Sequence, residues 1–403
     1  MERMEEEVSS SEYHIYQHFI SNSNWDYQGA NIELGKEVSE IMENNKAKTG
    51  RPTGLIIDES AHLKKGKHSV GVSRQYAGVA GKVDNCQVGV YASLCNDKLA
   101  TLVDERLFLP EKWTIDPERC KKAGVPLPER KYKTKPQLAL ELVDKQLENG
   151  VKFDWVGGDG LYGHSFELTT GLEQRGVFYL LDVHSDEKVY LTAPEIVVPE
   201  RRSYKGRKPK KEQPNKEAIR LDNYCKALSH EDWEIVKVRK AAKGTIKLKV
   251  HKARVWVWRE GEKKVVERTL VISKSLKGDQ RTKYSFSNGG YQQYTCQEYA
   301  WFQSQRYWVE RCFDDAKNEL GLSDHQVRKW IGWHHHHTLV MLACLLLLKA
   351  KLDKVEDFPL MSVRDARIIM IVSLFGTEEQ YEERLEQMRN RHKKRKYDID
   401  RYD

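Results

Sequence analysis

The sequence predicts an α/β chain: a mixed sheet with helices on its faces, interrupted by a β-rich stretch. Three observations predict it. Two apolar runs, GLII at Gly54–Ile57 and FDWVGG at Phe153–Gly158, pass directly into an acid, Asp58 and Asp159, as buried strands of a layered sheet do. Lys135–Asn149 repeats Leu138, Leu142, Val143 and Leu147 near helical spacing. Period-two alternation then governs Thr245–Glu260 and Lys263–Ser275, the mark of paired strands.

In chain order, a polar lead-in gives way at Gly54 to the first strand, which is expected to end at Asp58, with a glycine-punctuated loop over Ala61–Asn85. Gln87–Leu94 and Ala100–Leu109 are spaced as an antiparallel hairpin. Gly150 stops the helix that begins at Lys135. A strand through Phe153–Gly160, a short helix at Phe166–Gln174 and a strand at Val177–Val183 complete a layer of three strands, helix, strand, helix and strand, an order that matches the ribonuclease-H-like fold. Gln297–Leu348 is strongly helical, and no solenoid repeat is visible. The domain reading is a lead-in over 1–50, a first catalytic part over 51–184, a β-rich insertion with a basic linker over 185–288, a helical completion over 289–350 and a helical, basic-tailed end over 351–403.

At 403 residues and 39% hydrophobic, the chain can fill at least one ordinary core and divide into two or three domains. Its seven cysteines are scattered singly with no C-x-x-C pair, which excludes a zinc cluster or disulfide framework of the usual spacing and points to a reducing, cytoplasmic setting. Met1–Ser11 is acidic and serine-rich, unlike a secretory signal. The longest apolar run, Thr338–Leu348, is short of the roughly 20 residues that cross a bilayer and reads as a buried helix, so no membrane partner is expected. The net charge of +8 is moderate, and its distribution is more informative. Arg201–Lys211 and Arg389–Lys396 are basic runs suited to phosphate or simply to solvent; the second is expected to be unstructured without DNA.

The chemistry gathers on acids. Asp58 and Asp159, at the carboxyl ends of strands, would emerge at one edge of a sheet, where open α/β sheets place their sites. A third acid completes a hard-oxygen set for magnesium or manganese, and the candidate is Glu310 in QRYWVERCFDDAKNELGL. On a helix, Arg306, Glu310 and Lys317 fall within roughly 40° of one another, beside an apolar stripe of Val309, Phe313, Ala316 and Leu320. Two metal ions about 3.5–4 Å apart would then serve in-line attack on a phosphodiester, with Arg306 and Lys317 on the phosphate backbone. Taken singly, an acid at a strand end is usually a turn or cap residue and a charged helix face is usually just solvated; the joint pattern is what favours a site. The segment after Asp58 offers Lys64, Lys65, Lys67, Arg74 and Lys82 among tyrosine and glycines, a composition suited to DNA contact. His334–His337 are four adjacent residues that point in different directions on a helix and cannot converge on one ion. Trp330 and Trp333 are expected to pack in the interior rather than stack on bases.

At these residues the chain resembles insertion-sequence transposases with a DDE triad, in the subgroup with a β-rich insertion and a Tyr-Arg-Glu-Lys helix signature. The matching stretches are LIIDESAHLKKGKHSVGVSRQYAGVAGKVDNCQVGV (Leu55–Val90), WVGGDGLYG (Trp155–Gly163) and RYWVERCFDDAKNELGLSDHQVRKWIGWHHHHTLVMLA (Arg306–Ala343). The resemblance implies that Asp58, Asp159 and Glu310 are the triad and that Arg306 and Lys317 are the signature cations. It also implies a ribonuclease-H-like fold, a magnesium or manganese cofactor, and DNA as partner, both element ends and target. Two ends are held together in the reaction, so at least a homodimer is expected on DNA, with the protein at the nucleoid when bound. Three departures stand out. Gln303 occupies the signature tyrosine position, Ser60 stands where relatives commonly have threonine, and only sixteen residues precede the Gln17–Asp26 segment, ahead of which relatives carry a helical end-recognition region. The last suggests a shortened copy. A decayed, purely DNA-binding transposase and a different ribonuclease-H-like nuclease are the alternatives; the intact acids count against the first, and the insertion with the Arg306/Glu310/Lys317 helix against the second.

Overall fold

The computed structural model describes residues 13–199, 210–241, 244–260, 262, 264–276 and 281–400. The chain divides into two compact units, one of residues 1–154 and 307–403, the other of residues 155–306.

In the first unit, α1 (Tyr13–Ser21) and α2 (Tyr27–Thr49) precede the sheet. Asp26 caps α2 by accepting the Gly29 N–H, and Gly50 ends it in the left-handed conformation that spares a glycine a Cβ clash. Strand β1 (Gly54–Leu63) is anchored at its start: Thr53 N–H donates to Asp154, which also takes Lys46 Nζ at 2.7 Å. β2 (Ser73–Ala77), β3 (Lys82–Asn96) and β4 (Leu99–Leu107) follow, all antiparallel, with β1 and β4 both paired to β3. The β3–β4 hairpin is the one its spacing predicts, and Asp97 takes a positive φ of 53° at its turn. α3 (Lys135–Glu148) begins in a Thr134/Gln137 capping box and stops at Asn149, with Gly150 at φ 73°.

The second unit opens with β5 (Trp155–Gly158), a short helix at Gly160–Gly163 and α4 (Phe166–Gln174). Next come β6 (Tyr179–Val183), β7 (Glu234–Ala241), β8 (Gly244–Val257), β9 (Val266–Ser275) and β10 (Thr282–Ser287). Their order is β7-β8-β9-β10-β6-β5; only β5 and β6 run parallel, so this sheet is mixed. The alternation predicted over 245–275 is the β8–β9 pair, Val255, Leu270 and Ile272 facing inward onto Leu221, Cys225 and Tyr284. Most of the basic run at 201–211 lies outside the described residues; of its end, Lys211 pairs with Glu260 on the surface.

The division between units falls within α5 (Cys296–Glu319), after Arg306. α6 (Trp330–Asp353) returns to the first unit; it is long and apolar enough to cross a membrane, but 67% of its most apolar window is buried within the protein, as the sequence predicts for a core helix. α7 (Val363–Phe375) and α8 (Glu378–Asp400) finish the chain. Here one expectation fails. Arg389–Lys396 is exposed but helical, because Leu385 and Met388 pack with Phe358 and Met361, and Arg391 pairs with Asp365 at 2.8 Å. The amphipathic first half thereby carries the basic half as continuous helix.

Candidate active site

Asp58 does not end its strand. β1 continues to Leu63 because polar residues 60 and 62 face the interior, so the apolar run stops while the hydrogen-bond ladder does not. Asp58 is half-buried in mid-strand opposite Tyr91 of β3, and its Oδ1 accepts the Glu59 N–H. The neighbouring acid, Glu59, is already taken by Lys135 at 2.8 Å. Successive residues of a strand face opposite sides, so Asp58 and Glu59 lie on different faces of the sheet.

The later part of α5 lies over this place. Val309 and Ala316 are wholly buried and Phe313 nearly so, the stripe the sequence predicts. Phe313 meets the Tyr91 ring edge-on at 5.2 Å, so the residue opposite Asp58 is the one the helix packs against. Tyr91 is held in turn by His62 Nε2 at 3.0 Å. Glu310, one turn before Phe313, is exposed. Lys317 is half-buried; desolvation lowers its pKa, and the charges of Asp314 and Asp58 oppose that shift. Asp58 and Lys317 therefore feel each other within the first unit.

The second unit holds the other pair of predicted residues. Asp159 follows β5 directly, half-buried, as the strand-end reading predicts; it also caps the short helix, accepting the Leu161 N–H at 2.9 Å. Arg306 forms an ion pair with Asp182 of β6 at 2.7 Å, both side chains largely buried (16% and 15% exposed). Asp182 also accepts from Ser285 Oγ at 2.6 Å, and Ser285 Oγ accepts from Gln303 Nε2 at 2.7 Å. The glutamine at the signature tyrosine position is thus the outer member of a chain ending on Arg306. Asp182 and Ser285 were not singled out in the sequence. Asp182 could have been, since YLLDV repeats the pattern of an apolar strand running into an acid.

The remaining candidates are scattered by role. Lys64 is half-buried, with a pKa lowered by desolvation, and its ammonium donates to the His325 carbonyl. Lys65, Lys67, Arg74 and Lys82 are exposed, Lys82 lying 3.4 Å from Asp84. The four consecutive histidines each engage something different. His334 Nδ1 meets Glu105, His335 Nδ1 the Ile20 carbonyl, His336 Nε2 the Gly321 carbonyl and His337 Nδ1 the Trp333 carbonyl. Burial pushes His337 down to about 3 and His336 to about 4, so both are neutral parts of the interior. Trp330 and Trp333 are buried with Trp113 and Leu107, as expected.

Carboxylate oxygens are the donors that hard divalent cations take, so Asp58, Asp159 and Glu310 fit magnesium or manganese in kind. Among the described residues no group of three or more His, Cys, Asp or Glu side chains is drawn together to hold a metal. Magnesium seldom needs such a cage, being held by one or two carboxylates together with substrate phosphate.

A family model described as DDE superfamily endonuclease matches residues 1–245. The chain is 31% identical over 175 residues to "Probable transposase for insertion sequence element IS701" of Microchaete diplosiphon, a match covering 43% of this chain and 41% of that relative's length. Its structure aligns with that of a piggyBac transposase synaptic complex with hairpin DNA over 83% of this chain and 57% of the other, at 11% identity and a TM-score of 0.36, a likeness too low to define the fold. The chain belongs to the DDE superfamily endonucleases.

Proposed function

We propose that this member of the DDE superfamily endonucleases is a DNA transposase that cuts at the terminal inverted repeats of a mobile element and joins the freed 3′-hydroxyl ends to target DNA. The observation that carries the reading is Asp58, half-buried opposite Tyr91 while α5 brings Phe313 onto Tyr91 and Lys317 within electrostatic reach of Asp58. An acid and a cation from distant parts of the chain thus interact electrostatically, a combination that suits phosphodiester chemistry.

In this reading Asp58, Asp159 and Glu310 are the catalytic acids and the residues that would hold magnesium or manganese. When bound, the metal supplies Lewis-acid stabilisation of the charge that develops on phosphate oxygens. The chain's own part is positional. The β1 ladder fixes the Asp58 backbone, the cap on Leu161 fixes the Asp159 carboxylate, and the half-buried Lys317 ammonium offers a poorly hydrated cation to a phosphate. Arg306, closed into its pair with Asp182, braces the helix in this reading and leaves the phosphate to Lys317. The fold is read as ribonuclease-H-like, with residues 51–184 and 289–350 forming the catalytic domain around an insertion at 185–288. The working assembly is at least a dimer on DNA, since two element ends react together.

Magnesium-dependent cleavage of DNA carrying the sequences that flank the chain's own reading frame tests this, comparing wild type with Glu310→Gln. Cleavage at the ends that falls by about a thousandfold or more in the variant is the expected result. Equal cleavage by both removes Glu310 from the site, and binding without cleavage by either identifies a DNA-binding protein that has lost turnover.

A further inference from the structure

Beyond the acids, β2 and the start of β3 form a feature no catalytic step uses. β1 pairs with β3 only from Cys86 onward, Lys64 N–H still donating to the Asn85 carbonyl, and β4 only from Gly89, so Lys82–Asp84 with Gln75–Ala77 makes a short two-stranded arm beyond the paired part of β1 and β4. The 3₁₀ turn Gly78–Ala80, closed by left-handed Gly81, joins its strands. One face is tied down: Ala77 and Cys86 are buried with Val88, against Ala61, Ala80 and Phe108. The opposite face carries Arg74 and Tyr76, with Val83 directly across from Tyr76 and Asn85 across from Arg74. Tyr76 is 60% exposed, Val83 53% and Val79, in the turn, 60%. An exposed apolar patch rimmed by polar residues is a common mark of an interaction surface. Residues 64–85 contain five cations, Lys64, Lys65, Lys67, Arg74 and Lys82, against one acid, Asp84.

We propose that this arm is a β-ribbon reader of duplex DNA, Tyr76 and Val83 touching base edges in the major groove while Arg74, on the same face, and the nearby Lys65 and Lys67 hold the flanking phosphates. The inference rests on the transposase reading and adds to it the residues that recognise sequence. A two-stranded ribbon has the width the major groove admits, and apolar side chains there discriminate by contact with thymine methyl groups. Cations of one sign around an apolar pair divide the work between register and readout. Charge complementarity selects DNA over a second copy of the chain, whose arm would present the same cations.

The test measures binding of the full chain to two labelled duplexes, one carrying the element's end and one with that sequence shuffled, over a range of salt. Tyr76→Ala with Val83→Ser should weaken the end duplex by about five- to a hundredfold while leaving the shuffled duplex and the salt slope unchanged. Arg74→Gln should weaken both duplexes alike and reduce the salt slope by about one. Both changes lie on an exposed face, and the thermal transition checks that folding is intact. Wild-type affinity for both duplexes in the double variant overturns the arm, as does a change in sedimentation with DNA binding preserved, which would make the arm a contact between copies. A wild-type chain that binds neither duplex overturns the transposase reading itself and takes the arm's partner with it.

Discussion

Arg306 and Lys317 are cations eleven residues apart on one helix, and helical spacing assigns them one role. Their surroundings differ. Arg306 is closed into an ion pair with Asp182, itself braced by Ser285 and, through it, Gln303. Lys317 lies 5.7 Å from the centre of the Phe313 ring, where burial depresses its pKa and Asp314 and Asp58 only oppose the effect. One cation is satisfied inside the protein and the other is held in a poorly solvated place. A largely buried pair is costly to break from one side, because the remaining charge stays desolvated. A half-buried lysine beside a carboxylate instead has its charge available for an anion that arrives later. Spacing on a helix therefore distributes charges over a surface, but the partner met by each charge decides whether it serves stability or substrate.

The largest effect expected from this contrast is on catalysis. Lys317→Ala should lower DNA cleavage by roughly a hundredfold, the scale of a lost charge-assisted contact to a reacting phosphate, while changing stability by less than about 1 kcal/mol. A similar loss in Tm and in rate would erase the distinction. Arg306→Ala should cost about 2–3 kcal/mol in urea denaturation, since it strands Asp182, and adding Asp182→Ala should recover part of that loss. If the double variant is no more stable than the single one, the pair is not what holds Arg306.

A pH titration sharpens the same comparison. The lysine proton is lost as pH rises, and the folded pKa of Lys317 is depressed, so its hold on phosphate should fade at a pH below the ordinary lysine value of 10.5. Arginine stays charged throughout, so Lys317→Arg should flatten the alkaline limb of DNA binding, whereas Arg306→Lys should leave that limb in place. The smallest effect belongs to the outer member of the chain: Gln303→Leu removes one hydrogen bond to Ser285 and should cost about 1 kcal/mol. Gln303→Tyr, restoring the signature residue, tests whether that position acts through Ser285. Unchanged cleavage with lower stability would mark Gln303 as a brace only.

Much of this was legible beforehand where the signal is local. Leu138, Leu142 and Val143 are buried along α3 and Gly150 stops it, since one helix period and one left-handed residue suffice. The strand leading into Asp159, the β3–β4 hairpin and the Val309/Phe313/Ala316 stripe were legible for the same reason. The end of β1 was not, because Ser60 and His62 are polar residues whose burial depends on what β3 and α6 bring to them: His62 meets Tyr91 and the Trp333 ring. β2 was read as loop, since five residues with two glycines shortly after them give little periodicity, and only the ladder with Lys82–Cys86 makes them a strand.

The sequence by itself determined the α/β class and the family, and it singled out Asp58, Asp159 and Glu310 as candidate acids, because these depend on residue type, period and motif spacing along a single stretch of chain. Only the tertiary structure decided that Glu59 is consumed by Lys135, that Arg306 is bound to Asp182, that Lys317 is half-buried where it feels the charge of Asp58, and that Arg74, Tyr76 and Val83 share an exposed face. Each of these is a pairing or a burial between residues far apart in the chain or on different strands. A charge's free energy is set by the dielectric and the partner it meets after folding, neither of which its neighbours in sequence supply.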